Sequence, residues 1–341
     1  MPPRRQVLRV ATWGGLGLAL GPLLTGCRIR LEDDAPTIPF LSRQPIPDEA
    51  AIMAAYHRAV GVADLAGRAL ATMAAEVRQR HTRHAQVLRA ILDAGEVPER
   101  IIRAAAPAAT SAAISTSVGT VATSAPPGTA PGWTSTAGST GPGPSAGSTP
   151  TVSDADLAQA VRTAAEAGVA AASGLGVHRI LGAAVAAHDS AEAAHLGASI
   201  TWPGSDHLPE GVARELLQVT RAARYGLQVA ASRLPAAEHD ALLGSIAVLD
   251  RREHTLAADL RPAPSPPLGY ALPFSPSGPD EARRLVRVVL GTTVDRGWDA
   301  AESIPAGSSA VISLIRLQTE AVLLAVGHGV QFPTLPGLVV G

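Results

Sequence analysis

The sequence predicts an all-α protein made of two four-helix bundles, each assembled from two helical pairs joined by a long crossover. Three observations carry this. Hydrophobic residues are 46% of the 341-residue chain but aromatics only 3%, with alanine everywhere; alanine is the best helix former, and small side chains point to closely packed helices with thin cores. Apolar residues recur at helical spacing between Pro, Gly and capping residues. The helical segments fall into pairs separated by long proline-rich stretches, one near 106–152 and one reading "RPAPSPPLGYALPFSPSGP". A long connection after a second helix lets the third run parallel to it, which a short loop cannot do.

The first bundle spans residues 48–200. Pro47 and Asp48 open a helical pattern to about Val60, Gly61 to Asp64 read as a tight turn, and a second segment ends at Gly95. Residues 106–152 are almost wholly Ala, Ser, Thr, Gly and Pro, too polar and small to offset their ordering entropy, so a disordered insertion is expected there. Ser153 and Asp156 form a capping-box signature for a helix to about Ser173, and a fourth helix runs from about Val177 to Leu196. The C-terminal domain, 208–336, repeats the plan. Its helices are expected over about Pro209–Arg233, Pro235–Leu260, Pro279–Ser303 and Ser308–His328.

The opening "MPPRRQVLRVATWGGLGLALGPLLTGC" is an export signal, residues 1–26, with Arg4, Arg5 and Arg9 ahead of an uncharged stretch from Val10 to Gly26. Arg4 and Arg5 followed by Gln6, Val7 and Leu8 resemble the twin-arginine motif, although general secretory leaders also begin with arginines. Leu24, Thr25, Gly26 and Cys27 read as a lipobox, in which Cys27 is acylated. Cys27 is the only cysteine, so no intramolecular disulfide is possible, and lipidation accounts for the lone thiol. Two or more acyl chains hold a protein stably on a membrane. The expected location is the outer face of the cytoplasmic membrane, with residues 27–47 as a tether. A short uncleaved anchor is the alternative reading of the apolar run.

The formal net charge is −1 and there is no lysine, so no basic surface exists to neutralise a nucleic-acid backbone. The chain has no P-loop, Cys-x-x-Cys or haem-attachment sequence, and its G-x-S-x-G match, Gly143 to Gly147, falls within the Ala/Ser/Thr/Gly/Pro stretch rather than at a strand-to-helix turn, which leaves hydrolase, nucleotide, redox-thiol and cytochrome readings without support. No catalytic residue is marked.

The stretches "LLQVTRAARYGLQVAASRLP", "LGYALPF" and "EARRLVRVVLGTTVDRGWDAAE" resemble a ferritin-like domain of unknown function common in actinobacterial proteins, over about 210–336. "LGAAVAAHDSAEAAHL" is similar to the last helix of ferritin-like domains in exported lipoproteins of that group. The resemblance implies ferritin-like bundles and an envelope lipoprotein; it implies no activity.

A two-metal site in such a bundle needs a carboxylate from each of two helices and Glu-x-x-His from each of the other two. "EAAH" supplies Glu192 and His195 at that spacing, the preceding helix supplies Glu166, and the second helix has His81 and His84 with Glu76 earlier. The first helix has only His57 and, at its start, Glu49. This is too few carboxylates for two iron ions. One metal on His81, His84, His195 and Glu192 fits better, and such an imidazole-rich set suits zinc or copper. The simpler reading, and the preferred one, makes Glu192 and His195 a polar pair on a helix face. His178, His188, His239 and His328 read as surface or boundary residues. In the second half Thr220 and Arg221 stand where the resembling family often has glutamate and histidine. Glu253 and the adjacent His254 point about 100° apart on a helix, and Asp295, Asp299 and Glu302 read as a solvated stripe.

Two functions remain. One is a membrane-anchored lipoprotein whose bundles form a binding or structural module, with no cofactor and with an envelope protein as partner. The other is an exported metal-binding protein or oxidoreductase using iron, zinc or copper in the first bundle.

Overall fold

The structure, a computed structural model, describes residues 43–106 and 152–335. Arg4, Arg5, Cys27 and the expected insertion over 107–151 lie outside the described residues. The described chain is helical, with no strand beyond an isolated bridge between Ala69 and Val152. Its helices are α1 (Glu49–Ala66), α2 (Ala74–Ala94), a short α3 (Glu99–Ala104), α4 (Asp154–Ala172), α5 (Arg179–His195), α6 (Glu210–Ala231), α7 (Ala236–Ala258), α8 (Pro279–Arg296) and α9 (Ala310–Gly327).

Local chemistry sets most boundaries. The Ser153 hydroxyl accepts from Asp156 N while the Asp156 carboxylate accepts from Ser153 N, closing the capping box of α4. Pro279 at the first position and acidic Asp280 and Glu281 in the first turn start α8. Asp48 does more than open α1. It adopts a left-handed backbone, φ 60°, which Asp tolerates, and its carboxylate accepts from the backbone N–H groups of Gly176 and His178, both at 2.9 Å. The start of α1 thereby pins the entry to α5.

Three elements differ from the sequence expectation, the first being the short α3, where no helix was expected. α1 runs straight through the expected turn at Gly61, because Ala59, Val62, Ala63 and Ala66 are buried and their packing outweighs the roughly 1 kcal/mol that an internal glycine costs. α8 ends at Arg296, and a separate 3-10 turn, Ala301–Ser303, follows with Trp298 and Ile304 buried beside it.

In the first half α1 packs on α2 and α4, and α4 on α5; in the second, α6 packs on α7 and α8, and α8 on α9. α5 and α9, the last helix of each half, pack on each other and join the halves. Their shared core runs from Val169, Ala172, Ala183 and Ala187 to Leu216, Leu217, Leu256 and Ile315. Close approach depends on small residues: a Cβ on Gly168 would stand 3.3 Å from Ala186 Cβ. α9 is the one described helix long and apolar enough to cross a membrane; here it is a core helix, with Leu314, Ile315 and Val322 fully buried.

The consequence for function lies in α5. Every residue from Ala183 to Ala193 is buried, because α4 covers one side and α9 another. A helix of alanines can be surrounded this closely. Its polar residues His188, Asp189, Ser190 and Glu192 therefore enter the interior together.

Candidate metal centre

α2 and α5 face each other with the same spacing of polar residues, at positions i, i+1 and i+4. α2 presents Arg80, His81 and His84; α5 presents His188, Asp189 and Glu192. All six are buried, and His81, His84, His188 and Glu192 have no measurable exposure. The rings of His84 and His188 are 4.4 Å apart, with His81 5.3 Å from His84 and 6.0 Å from His188.

Glu192 ties the cluster together. Its Oε1 accepts from Arg80 Nε at 2.7 Å and its Oε2 from His81 Nε2 at 2.7 Å, with His188 Nε2 at 3.8 Å. Arg80 also reaches Glu76, an exposed neighbour one turn back, at 3.1 Å. Asp189 Oδ1 lies 3.6 Å from His84 Nδ1 and 4.0 Å from His81 Nε2.

The outer ring nitrogens are held by backbone. His84 Nε2 donates to Thr334 O at 2.5 Å, and His188 Nδ1 donates to Pro333 O at 2.8 Å. In a neutral imidazole, fixing the proton on one nitrogen leaves a lone pair on the other. His84, whose burial keeps it neutral, therefore presents a lone pair at Nδ1, and His188 presents one at Nε2 in its neutral form; neither atom has a hydrogen-bond partner. Asp189 Oδ1 is likewise buried without one. These three potential acceptors face inward unpaired, beside the unpaired Arg80 Nη2 and His81 Nδ1, and a cation would satisfy the acceptors.

Electrostatics divide the cluster. Burial pushes Glu192 up, but the imidazoles of His188 and His81 outweigh it and hold the carboxylate well below its usual range. Burial raises Asp189, against the pull of His81 and His188. Burial, then the neighbouring His188 and His81, push His84 well below the ordinary histidine value. Burial opposes protonation of His81, but Glu192 and Asp189 prevail and raise it. Glu192 and His84 are thus held towards the forms that ligate a metal, whereas Asp189 and His81 are held towards their protonated forms, so an ion entering here displaces protons from both.

Two ligand triads share His81: His81, His84 and Asp189, and His81, His188 and Glu192, each with ligand atoms within 4.8 Å of one another. Ligands at about 2.1 Å in a tetrahedral zinc site lie about 3.4 Å apart, close to the 3.6 to 4.0 Å separations of three of these pairs; His81 Nε2 and Glu192 Oε2, hydrogen-bonded at 2.7 Å, would have to part for both to ligate. Three imidazoles and two carboxylates suit zinc, copper or iron rather than magnesium or calcium.

Of the residues marked from sequence, His81, His84 and Glu192 meet, while His195 and Glu166 stand apart. His195 is the last residue of α5 and exposed, its ring 6.0 Å from Phe332. Helical side chains lean towards the N-terminus, so Glu192 leans back to His188 rather than on to His195. The Glu166 carboxylate accepts from Thr201 N at 3.0 Å and serves a loop. His188, expected at a boundary, is fully buried in the cluster, and Asp189 was not marked at all. The signal was present: His188 and Glu192 stand at i, i+4. Elsewhere, His57 Nε2 donates to Ile102 O at 2.7 Å, His239 Nε2 to Ala231 O, and His328 bonds Ser245 at 2.7 Å. Glu253 pairs with Arg221 at 2.7 Å, and His254 is exposed on the outside of α7.

Comparison with protein-family models, with curated proteins and with solved structures finds no match to this chain.

Proposed function

We propose that this chain is an exported, lipid-anchored metal-binding protein, with the ion held between α2 and α5 by His81, His84, His188, Asp189 and Glu192. One observation carries the reading: inward-facing lone pairs on His84 and His188, together with Asp189 Oδ1, are buried without a donor, while backbone carbonyls hold the outer nitrogens. Leaving three buried acceptors unmatched costs about 1–3 kcal/mol each, and a bound cation removes that cost. This favours the metal-binding alternative over a purely structural module. The ferritin-like arrangement is part of the same proposal, supported by two helical pairs per half and a buried ligand set projecting from facing helices. Attachment to the outer face of the membrane through Cys27 is supported by the leader and lipobox alone.

The test is elemental mass spectrometry on the chain purified without a histidine tag, beside a His84→Ala, His188→Ala double variant. The proposal expects a stoichiometric transition metal in the wild type and none in the variant. A folded wild type that neither retains nor takes up zinc, copper or iron refutes it.

A further inference from the structure

We propose that residues 331–335, which follow α9, form a strap that closes the metal centre and sets the tautomers of its ligands, so that an ion enters or leaves only when the strap lifts. The inference rests on the metal-binding reading above. Phe332 is the lid: its ring lies 5.0 Å from the His188 ring and 6.0 Å from that of His195, and the Arg80 guanidinium stacks over it at 4.7 Å. Phe332, Pro333 and Thr334 are partly exposed, whereas His84 and His188 beneath them have no exposure. The strap is the layer between these two ligands and solvent.

Its attachment is unusual for a segment covering a buried site. Among the described residues no backbone–backbone hydrogen bond holds 331–335, and Pro333 has no N–H to contribute. The strap's carbonyls are occupied instead by the ligands themselves, Pro333 O by His188 Nδ1 and Thr334 O by His84 Nε2. Among the described residues side chains also hold it, Phe332 packed against the core of the second half and Leu335 buried. A segment with few backbone bonds and little buried surface opens at lower cost than the helices it joins. When it opens, both imidazoles lose the acceptor that fixes their tautomer, so cover and ligand orientation are released in one motion. Loss of such outer contacts typically weakens metal affinity by about 10–100-fold.

The strap belongs to the chain after α9, in the second half, whereas the ligands lie on α2 and α5, in the first. The second half therefore completes the centre of the first, a dependence that neither half's sequence shows.

The test uses Phe332→Ala, which removes the lid, and Pro333→Gly, which loosens the strap while keeping Phe332 and the carbonyl. Carbethoxylation of the metal-free proteins by diethyl pyrocarbonate is followed residue by residue by peptide mass spectrometry. His207, whose side chain is 90% exposed, serves as the internal standard. The expected result is at least ~10-fold faster modification of His84 and His188 in both variants, with His207 unchanged and the thermal transition retained. Cobalt(II) uptake, read from its visible absorption, should accelerate in parallel. Unchanged modification of His84 and His188 in both variants, or equal cobalt uptake in all three proteins, overturns the strap. No cobalt in any of them overturns the metal reading instead, and the carbethoxylation rates still decide whether the strap covers the cluster.

Discussion

The two carboxylates of the centre should respond in different directions when their charge is removed, Glu192→Gln lowering the stability of the metal-free protein and Asp189→Asn leaving it unchanged or higher. Glu192 is fully buried and makes 2.7 Å bonds to both Arg80 and His81. Glutamine keeps its shape and one acceptor but leaves the Arg80 guanidinium, itself 8% exposed, facing only Glu76. The Glu76 side chain is 65% exposed, and so screened a pair is worth about 0–1 kcal/mol. Removing one partner of a buried pair costs about 3–5 kcal/mol; the retained amide bond places Glu192→Gln near the lower end, about 3 kcal/mol. For a fold of this size that is a fall in Tm of about 6–12 °C. Asp189 Oδ1 has no hydrogen bond, and its nearest imidazole nitrogens are 3.6 and 4.0 Å away, so neutralising it removes a desolvated charge that only these longer contacts offset. The assay is thermal unfolding by circular dichroism after chelator dialysis, repeated with zinc. Saturating zinc at about 100 times Kd should stabilise the wild type by about 2.7 kcal/mol, and both variants should lose most of that gain. A metal-free Glu192→Gln protein as stable as wild type, or Asp189→Asn falling as far as Glu192→Gln, refutes the assignment of unequal pairing.

Cys27→Ala should leave the precursor uncleaved or release the protein from the membrane; a variant still processed and membrane-bound on fractionation contradicts lipidation. Arg252, 3% exposed, bonds only Leu317 O through Nη1 while Nε and Nη2 lack partners. Burial pushes it down from the ordinary arginine value to about 10, a shift worth about 3 kcal/mol. Because the folded value is the lower one, that cost is present throughout the neutral and acidic range. Arg252→Met should raise Tm in calorimetry, and a lower Tm rejects this account. A Cβ on Gly226 would meet Val289 Cγ2 at 2.9 Å, and a β-branched side chain on a helix has no other rotamer to adopt. Gly226→Ala should cost about 1–3 kcal/mol by overpacking, measured by urea unfolding; a neutral result means that α6 and α8 separate freely.

Helix identity was legible because it is a local property. Ser153 and Asp156 specify the start of α4, Pro279 the start of α8 and Gly95 the end of α2, each through backbone groups a few residues away. The turn expected at Gly61 failed because the burial of Ala59, Val62 and Ala63 is a tertiary term, larger than the local glycine cost. The centre was half legible for the same reason. His81, His84 and Glu192 stood out by spacing, and the error over His195 came from matching i, i+3 forward along the helix when side chains lean backward. His188 looked like a boundary residue because one-face reasoning assumes a helix with a solvent side. α5 has none over its middle, since α9 covers what α4 leaves open.

The sequence by itself determined the helices, most of their ends, and the residue types able to hold a metal. These depend on propensity, capping and short motifs, which act over one or two turns. Only the tertiary structure decided which of those residues meet, that Asp189 and His188 join them, and that Phe332, Pro333 and Thr334 close over them. The distance along the chain from His84 to Thr334 is bridged by the packing of α5 against α9, and no local pattern in either segment encodes that contact.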